Sequence, residues 1–393
     1  MTTLHEARGL TMHKRLPITI LAGHLGHGGA EGVVVALAEG LSRMNFEVTI
    51  LLRGRWIARA IPPGIEIVML RGTSDRQRVR ELQSMWHRRP PKIAISHLTE
   101  VNIQTLHARQ RLAKDFPVVV VEHTMPSRLI NDYTGGGWIY KRNLLRKVRK
   151  YYREADAVIA LCESAAVDIS ELAHMPRNKV ITINNPVIPS DIDQHMDEMS
   201  GHPWLDSTSG INVVLAAGRF APEKNFEMLI RAFKKVHTAR PDTRLVILGA
   251  GECGRNYERL ADELGIAGYI AFPGHISNIY AFMSRASVFA LPSIIEGVPN
   301  VLVEALACEI PIVATDSLGG NRELLMNGVY GTLIPLGDED SFASAIISAI
   351  ENRPTTEGYR ERVKDFEVDS SINKYAQLIS ELTEKGNANA KST

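Results

Sequence analysis

The sequence predicts an α/β protein of two Rossmann-like, doubly wound domains facing a central cleft. Short apolar, β-branched runs alternate with helical periodicity over the first 187 residues, the pattern of a parallel sheet covered by helices. After a polar, acidic stretch the same alternation restarts at 211. The longest apolar runs, such as PVVVV at 117–121, are strand-length, far below the roughly 18 residues of a membrane span.

In order, ITILAG (18–23) reads as a buried parallel strand. FEVTILL (46–52), KIAISHL (92–98), PVVVVEH (117–123), AVIALC (157–162) and KVITINNPV (179–187) continue the series. Residues 188–210 contain Pro, Gly, Ser and several acids and read as a linker. INVVLAAGRF, RLVILGAGE, YIAFPGH, SVFALPS, PIVATDS and TLIPLGD then repeat the pattern. The predicted domains are 14–190 and 205–365, and a last helix at 366–385 is expected to pack back across their junction. Ligands of such domains sit at the carboxyl ends of the strands, so two facing domains make a cleft.

At 393 residues, 45% hydrophobic and 23% charged, the composition is globular. Residues 1–200 carry 27 basic and 20 acidic residues, and 201–393 carry 18 and 24. A basic half joined to an acidic half points the first toward an anionic partner. Three scattered cysteines, Cys162, Cys253 and Cys308, fit a reducing cytoplasm better than a disulfide framework or zinc site. No long apolar leader stands at the N-terminus. The first dozen residues and the tail 385–393 are expected to be unstructured, with Met12 as an alternative start.

Three stretches carry chemistry. GHLGHGGAEG (23–32) lies between a strand and a helix, where Gly28 and Gly29 would let a phosphate approach the helix amides. A dinucleotide fingerprint fits poorly, because Glu31 takes the place of its third glycine; a tight turn without ligand is the plain alternative. In GRFAPEKN (218–225), Arg219 and Lys224 leave a strand together and can clamp a diphosphate, or are solvated surface charges. In SIIEGVPNVLVEA (293–305), Gly297 and Pro299 place Glu296 in a loop, with a helix beginning near Pro299 or Asn300. Glu304 then falls inside a helix among Val301, Leu302, Val303, Ala305 and Leu306. A buried carboxylate needs a partner: vicinal hydroxyls of a ligand, a buried arginine, or another helix to cap. The amides of Gly297, Val298 and Asn300, around Pro299, would face a phosphate or sugar oxygen.

These residues resemble the E-x7-E signature of retaining glycosyltransferases of family 4, which have the GT-B fold. The G-R-x-x-x-E-K-N pattern, P-I-V-A-T-D-S-L-G-G-N-R-E and the opening G-G-A-E fall in the family's order, and the resemblance spans about residues 16–383. It looks closest to bacterial enzymes that glycosylate lipid-linked or polysaccharide precursors. The resemblance implies an acceptor-binding first domain and a nucleotide-sugar-binding second one. It implies Glu304 on the ribose hydroxyls, Glu296 on the donor sugar, Arg219 and Lys224 on the diphosphate, and Gly28 and Gly29 near the donor phosphates. His123 would line the sugar and acceptor site; by itself it also reads as a structural strand-end histidine. The sequence departs from the family at Gly32, where many relatives have arginine, and at Cys308-Glu309.

With cations on the leaving diphosphate, no metal or other cofactor is expected. The helix WIYKRNLLRKVRKYYREAD (138–156) carries Lys141, Arg142, Arg146, Lys147, Arg149 and Lys150 opposite Leu144, Leu145, Val148, Tyr151 and Tyr152. It is expected to contact an anionic membrane surface or guide a diphosphate-linked acceptor; the alternative is that its apolar face is core. The glycines 135–137 before it suggest a mobile loop. No nucleic-acid motif accompanies it. The expected protein is cytoplasmic, peripheral on the inner face of the cytoplasmic membrane, using a nucleotide sugar, a UDP-sugar by preference, and a glycan or polyprenyl-diphosphate-linked acceptor. The alternatives are a nucleotide-sugar epimerase and a non-catalytic sugar-nucleotide binder.

Overall fold

The computed structural model describes residues 15–112, 116–128, 130–131, 137–206, 210–317 and 319–391. The first dozen residues and Gly135 and Gly136 of the glycine run lie outside them. Strands β1 (Leu16–Ala22), β2 (Phe46–Leu52), β3 (Glu66–Met69), β4 (Ile93–His97), β5 (Val118–Glu122), β6 (Ala157–Ala160) and β7 (Val180–Thr182) form a parallel sheet in the order β3-β2-β1-β4-β5-β6-β7. Strands β8 (Asn212–Ala217), β9 (Thr243–Leu248), β10 (Ile270–Gly274), β11 (Val288–Leu291), β12 (Ile312–Thr315) and β13 (Thr332–Ile334) form a second, in the order β10-β9-β8-β11-β12-β13. The chain is two Rossmann-like domains. Their central strands are continuous apolar runs because helices cover both faces; β5, β6, β11 and β12 are buried at every residue. In each sheet the strand order reverses beside the first strand, between β1 and β4 and between β8 and β11. The loops leaving those strands therefore converge on one crevice.

The structure departs from the sequence reading in three places. Strand β3 was not expected. It is a four-residue edge strand with both end residues exposed, so it lacks the apolar run that marked the others, and only pairing with β2 from Glu66 to Met69 defines it. The segment 188–210 is no loose tether. It forms a helix at Ile192–Asp197 and buries Ile192 and Leu205. Arg285 Nη1 and Asn278 Nδ2 donate to the carbonyls of Met196 and His195, each at 2.9 Å, and pin it to the second domain. Finally, the last helix runs Val368–Lys391, through most of the tail expected to be unstructured.

Entry into that helix is fixed by the amides of Val187 and Ile188, which donate to Phe366 O, while Val368 N returns a bond to Ile188 O. Ile372, Tyr375 and Ile379 are buried along its inner face. Ile372 lies against Gly40 of the first helix, Gly29–Arg43, so closely that a methyl group there would stand 2.6 Å from Ile372 Cγ1. Gly40→Val should therefore cost about 1–3 kcal/mol by overpacking, more than the roughly 0.5–1 kcal/mol of helix propensity recovered on leaving glycine. Thermal denaturation should show a lower midpoint for Gly40→Val. The double variant with Ile372→Ala should lose less than the two single losses together; strict additivity would show that the two residues do not meet.

Candidate active site

The site forms where the switch-point loops meet. Beyond β11 the chain runs beside the loop after β8, with Ile294 N donating to Glu223 O at 2.9 Å. This brings the buried Glu296 to Lys224, whose Nζ lies 2.5 Å from its Oε1. Arg219, the other predicted cation, is exposed and pairs with Glu223, the residue before Lys224. The two predicted cations are each held by a glutamate, Arg219 at the surface and Lys224 half-buried.

Gly297 brings the backbones of the two domains close together. A methyl group there would lie 1.9 Å from the carbonyl oxygen of His123, at the end of β5. On its other side Gly320 N donates to Gly297 O at 2.6 Å. Gly319, at φ +112°, passes so near that a side chain would strike Glu296 O. Only glycine combines that backbone angle with that approach.

The helix Asn300–Ala307 begins after Pro299, as the sequence indicates. Val298 and the helix residues Leu302, Val303, Ala305, Leu306 and Ala307 are buried. Pro299 O receives the amides of Leu302 and Val303, so those ahead of them point out of the first turn. Asn300 accepts from Asn185 Nδ2 at 2.9 Å and reaches Gly29 O at 3.5 Å. Gly28 and Gly29, at the start of the first helix, thus face the Asn300 helix across the junction.

Glu304 lies one turn further on. Burial pushes its carboxyl up to about 7, and the charge of Arg59 pulls the other way. Sequence reading missed Arg59. Its Nε donates to Gly26 O at 2.9 Å, and its Nη2 to His27 O at 3.2 Å and Gly28 O at 2.9 Å. Its guanidinium also fills the space beside Gly32, 3.3 Å from where a Cβ would be. The available signal was the run RGRWIAR (53–59), dense in arginine just after β2. The rings of His27 and His275 also meet across the junction, 4.1 Å between centroids.

His123 is buried, and burial holds its imidazole down at about 4, so it is neutral at pH 7. Its Nε2 lies 2.9 Å from Nδ1 of His97, at the end of β4, a partner the sequence did not suggest. The preceding Glu122 is also buried. It accepts from Thr99 Oγ1 at 3.0 Å, from Asn102 Nδ2 at 3.1 Å and from the Tyr152 hydroxyl, and burial still raises it to about 7.

The helix Trp138–Tyr151 corrects another expectation. Leu144, Val148 and Tyr151, with Tyr152 beyond the helix, are buried in the core. That apolar face cannot also lie on a membrane. Lys141 donates to Asn131 O at 2.6 Å and Arg149 to Leu172 O at 3.2 Å. Arg142 covers the Trp138 ring and Lys150 the Tyr151 ring. Arg146 and Lys147 lie on the same helix, and Lys147 favours the ionised Glu100. Trp138 and Ile139, each 68% exposed, form its apolar tip. Among the described residues no helix is long and apolar enough to cross a membrane, and no cluster of three His, Cys, Asp or Glu stands ready for a metal ion.

Residues 27–191 match the family model described as Glycosyltransferase Family 4, and residues 205–366 match Glycosyl transferases group 1. The chain is 27% identical, over 86% of its length and 92% of the relative, to N-acetylgalactosamine-N,N'-diacetylbacillosaminyl-diphospho-undecaprenol 4-alpha-N-acetylgalactosaminyltransferase of Campylobacter jejuni. It is 26% identical, over 90% of its length and 96% of the relative, to the lipopolysaccharide core biosynthesis glycosyltransferase LpsE of Rhizobium meliloti. Its fold is shared with Anabaena HepE, solved in complex with UDP: TM-score 0.74, 20% identity, 93% of this chain and 100% of that one.

The raised Glu304 carboxyl sets a pH dependence. An acid titrating near 7 when folded and near 4.5 when unfolded costs nothing below about pH 4.5. Its cost grows as pH rises and is complete above about 7, up to about 3 kcal/mol. Glu304→Gln escapes this cost. Its melting temperature relative to the parent protein should therefore rise between pH 5 and pH 8, and a gap that stays flat across that range would contradict the desolvated, weakly paired state.

Proposed function

Because this chain belongs to the glycosyltransferases, with the family 4 and group 1 domains in tandem on a GT-B fold, we propose that it transfers a sugar, with retention of anomeric configuration, from a UDP-sugar to a hydroxyl of a lipid-linked or polysaccharide-precursor acceptor. The observation that carries the reading is that the Glu296 loop, with Lys224 bonded to Glu296, packs through Gly297 on the His123 backbone at the junction and leads into the helix that bears Glu304. Glu304, desolvated and with Arg59 acting on it only through its field, suits the paired hydroxyls of a ribose. Glu296 holds hydroxyls of the donor sugar, and its bond to Lys224 directs that ammonium into the crevice. As the bond from the anomeric carbon to the diphosphate breaks, its electron pair goes to the β-phosphate oxygen. Lys224, Arg219 on turning from Glu223, and the outward amides stabilise that charge. The acceptor oxygen bonds to the anomeric carbon on the same face and its proton passes to the departing phosphate. No step calls for a metal. The relatives' names, which include a diphospho-undecaprenol substrate and lipopolysaccharide core synthesis, support the acceptor class, and UDP bound to HepE supports the donor.

UDP-sugars should raise the melting temperature more than GDP- or ADP-sugars. Glu304→Ala and Lys224→Ala should each cut transfer from UDP-sugar to membrane extracts by about 100-fold or more with the fold retained. Near-normal transfer by both variants would overturn the assignment.

The acceptor's membrane is reached through the Trp138 end of the basic helix, with Trp138 and Ile139 at the surface and Arg146 and Lys147 on anionic headgroups. Neutralising Arg146, Lys147 and Lys150, or replacing Trp138 with alanine, should reduce co-sedimentation with anionic vesicles. Unchanged sedimentation of both variants would remove this surface from the proposal.

A further inference from the structure

His97 is fully buried where β4 ends beside β5, in register with Val121. Its two ring nitrogens have opposite surroundings. Nδ1 faces His123 Nε2 at 2.9 Å, whereas Nε2 is buried with no hydrogen-bond partner. The ring also lines a void of about 10 Å³ whose wall is largely Ala22, Ala30, Val34 and Leu98, with His24 and Glu31 contributing. No hydrogen bond joins Nε2 to any group of that wall. Glu122, the carboxylate next to His123 in sequence, is occupied by Thr99, Asn102 and Tyr152.

A neutral imidazole carries one N–H and one bare nitrogen. Both rings are neutral at pH 7, since burial holds each below its ordinary value and each would repel the other's charge. Two arrangements fit the 2.9 Å contact. If His123 Nε2–H donated, the proton of His97 would sit on Nε2, a buried N–H with nothing to accept it. If His97 Nδ1–H donates, Nε2 is only an unused lone pair. A buried N–H without an acceptor is the rarer and costlier of the two.

We infer that His97 donates its Nδ1–H to His123 Nε2 and so fixes His123 as the Nδ1–H tautomer, which offers the junction a hydrogen-bond donor and not a base. His97 is then a positioning residue, acting through His123. The group it prepares suits an acceptor oxygen, such as a sugar hydroxyl or a phosphate oxygen of a nucleotide sugar. The importance of that donor for transfer rests on the function proposed above; the tautomer itself does not.

The two parts separate in one set of experiments on the full chain labelled with ¹⁵N-histidine. Long-range ¹H–¹⁵N correlations at pH 7.5, assigned with His97 and His123 variants, should show both rings protonated at Nδ1. A proton on Nε2 of His123 in the parent protein would overturn the inference without reference to any substrate. His97→Asn, whose amide N–H can replace Nδ1–H, should keep the His123 pattern and transfer within about threefold of the parent, while His97→Phe should lose the pattern and about tenfold in kcat/KM. Transfer indifferent to His97→Phe would overturn the positioning role and leave the tautomer standing. Absence of transfer by the parent protein, with the tautomer as stated, would instead count against the proposed function.

Discussion

The site depends on the backbone contact between Gly297 and His123. Two domains meet there with no room for a single methyl group, and the glutamate-bearing loop is held from behind by Gly319 and Gly320. The positions of Glu296, Asn300 and Glu304 relative to the first domain follow from that approach. A loop clamped on both sides can hold Glu296 against Lys224 without a helix or strand of its own at that point. Side chains on rigid elements keep their geometry better than side chains on loops, and this loop gains its rigidity from the packing of backbone on backbone.

The two glutamates of the SIIEGVPNVLVEA stretch are treated differently. Glu296 has an ammonium at hydrogen-bond distance, so its charge is compensated within its own domain. Glu304 feels a single cation, Arg59, which belongs to the other domain and is already committed to three carbonyls of the first loop. A carboxylate in that position is left under-satisfied. Arg59 links the two halves, binding the first loop directly and the Glu304 helix through its field. Its place beside Gly32 shows how a cation can be supplied to the first helix by a neighbouring loop and not by the helix itself.

The basic helix illustrates a limit of periodicity. Leu144, Val148 and Tyr151 recur at helical spacing whether the face they form meets a bilayer or the protein's own core, and the core claimed them. The exposed apolar groups sit instead at its first turn, at Trp138 and Ile139, where the sequence pattern carries no periodic signal.

Strand-and-helix alternation determined the two doubly wound domains from sequence alone, because a strand buried on both faces needs a continuous apolar run and a turn at each end. It missed β3 because an edge strand, half exposed, needs neither. The break at Gly297 and Pro299 likewise placed Glu296 in a loop and Glu304 in a helix, since proline and glycine act on the local backbone. What partners those carboxylates find is a matter of distance in space. Lys224 lies 72 residues before Glu296, Arg59 comes from the other domain, and His97 meets His123 through strands paired side by side. The sequence proposed Arg219 and Lys224 as a pair because they are neighbours along the chain; the fold gives each its own glutamate, Glu223 for Arg219 and Glu296 for Lys224. Local chemistry named the candidates, and only the tertiary fold decided which of them meet.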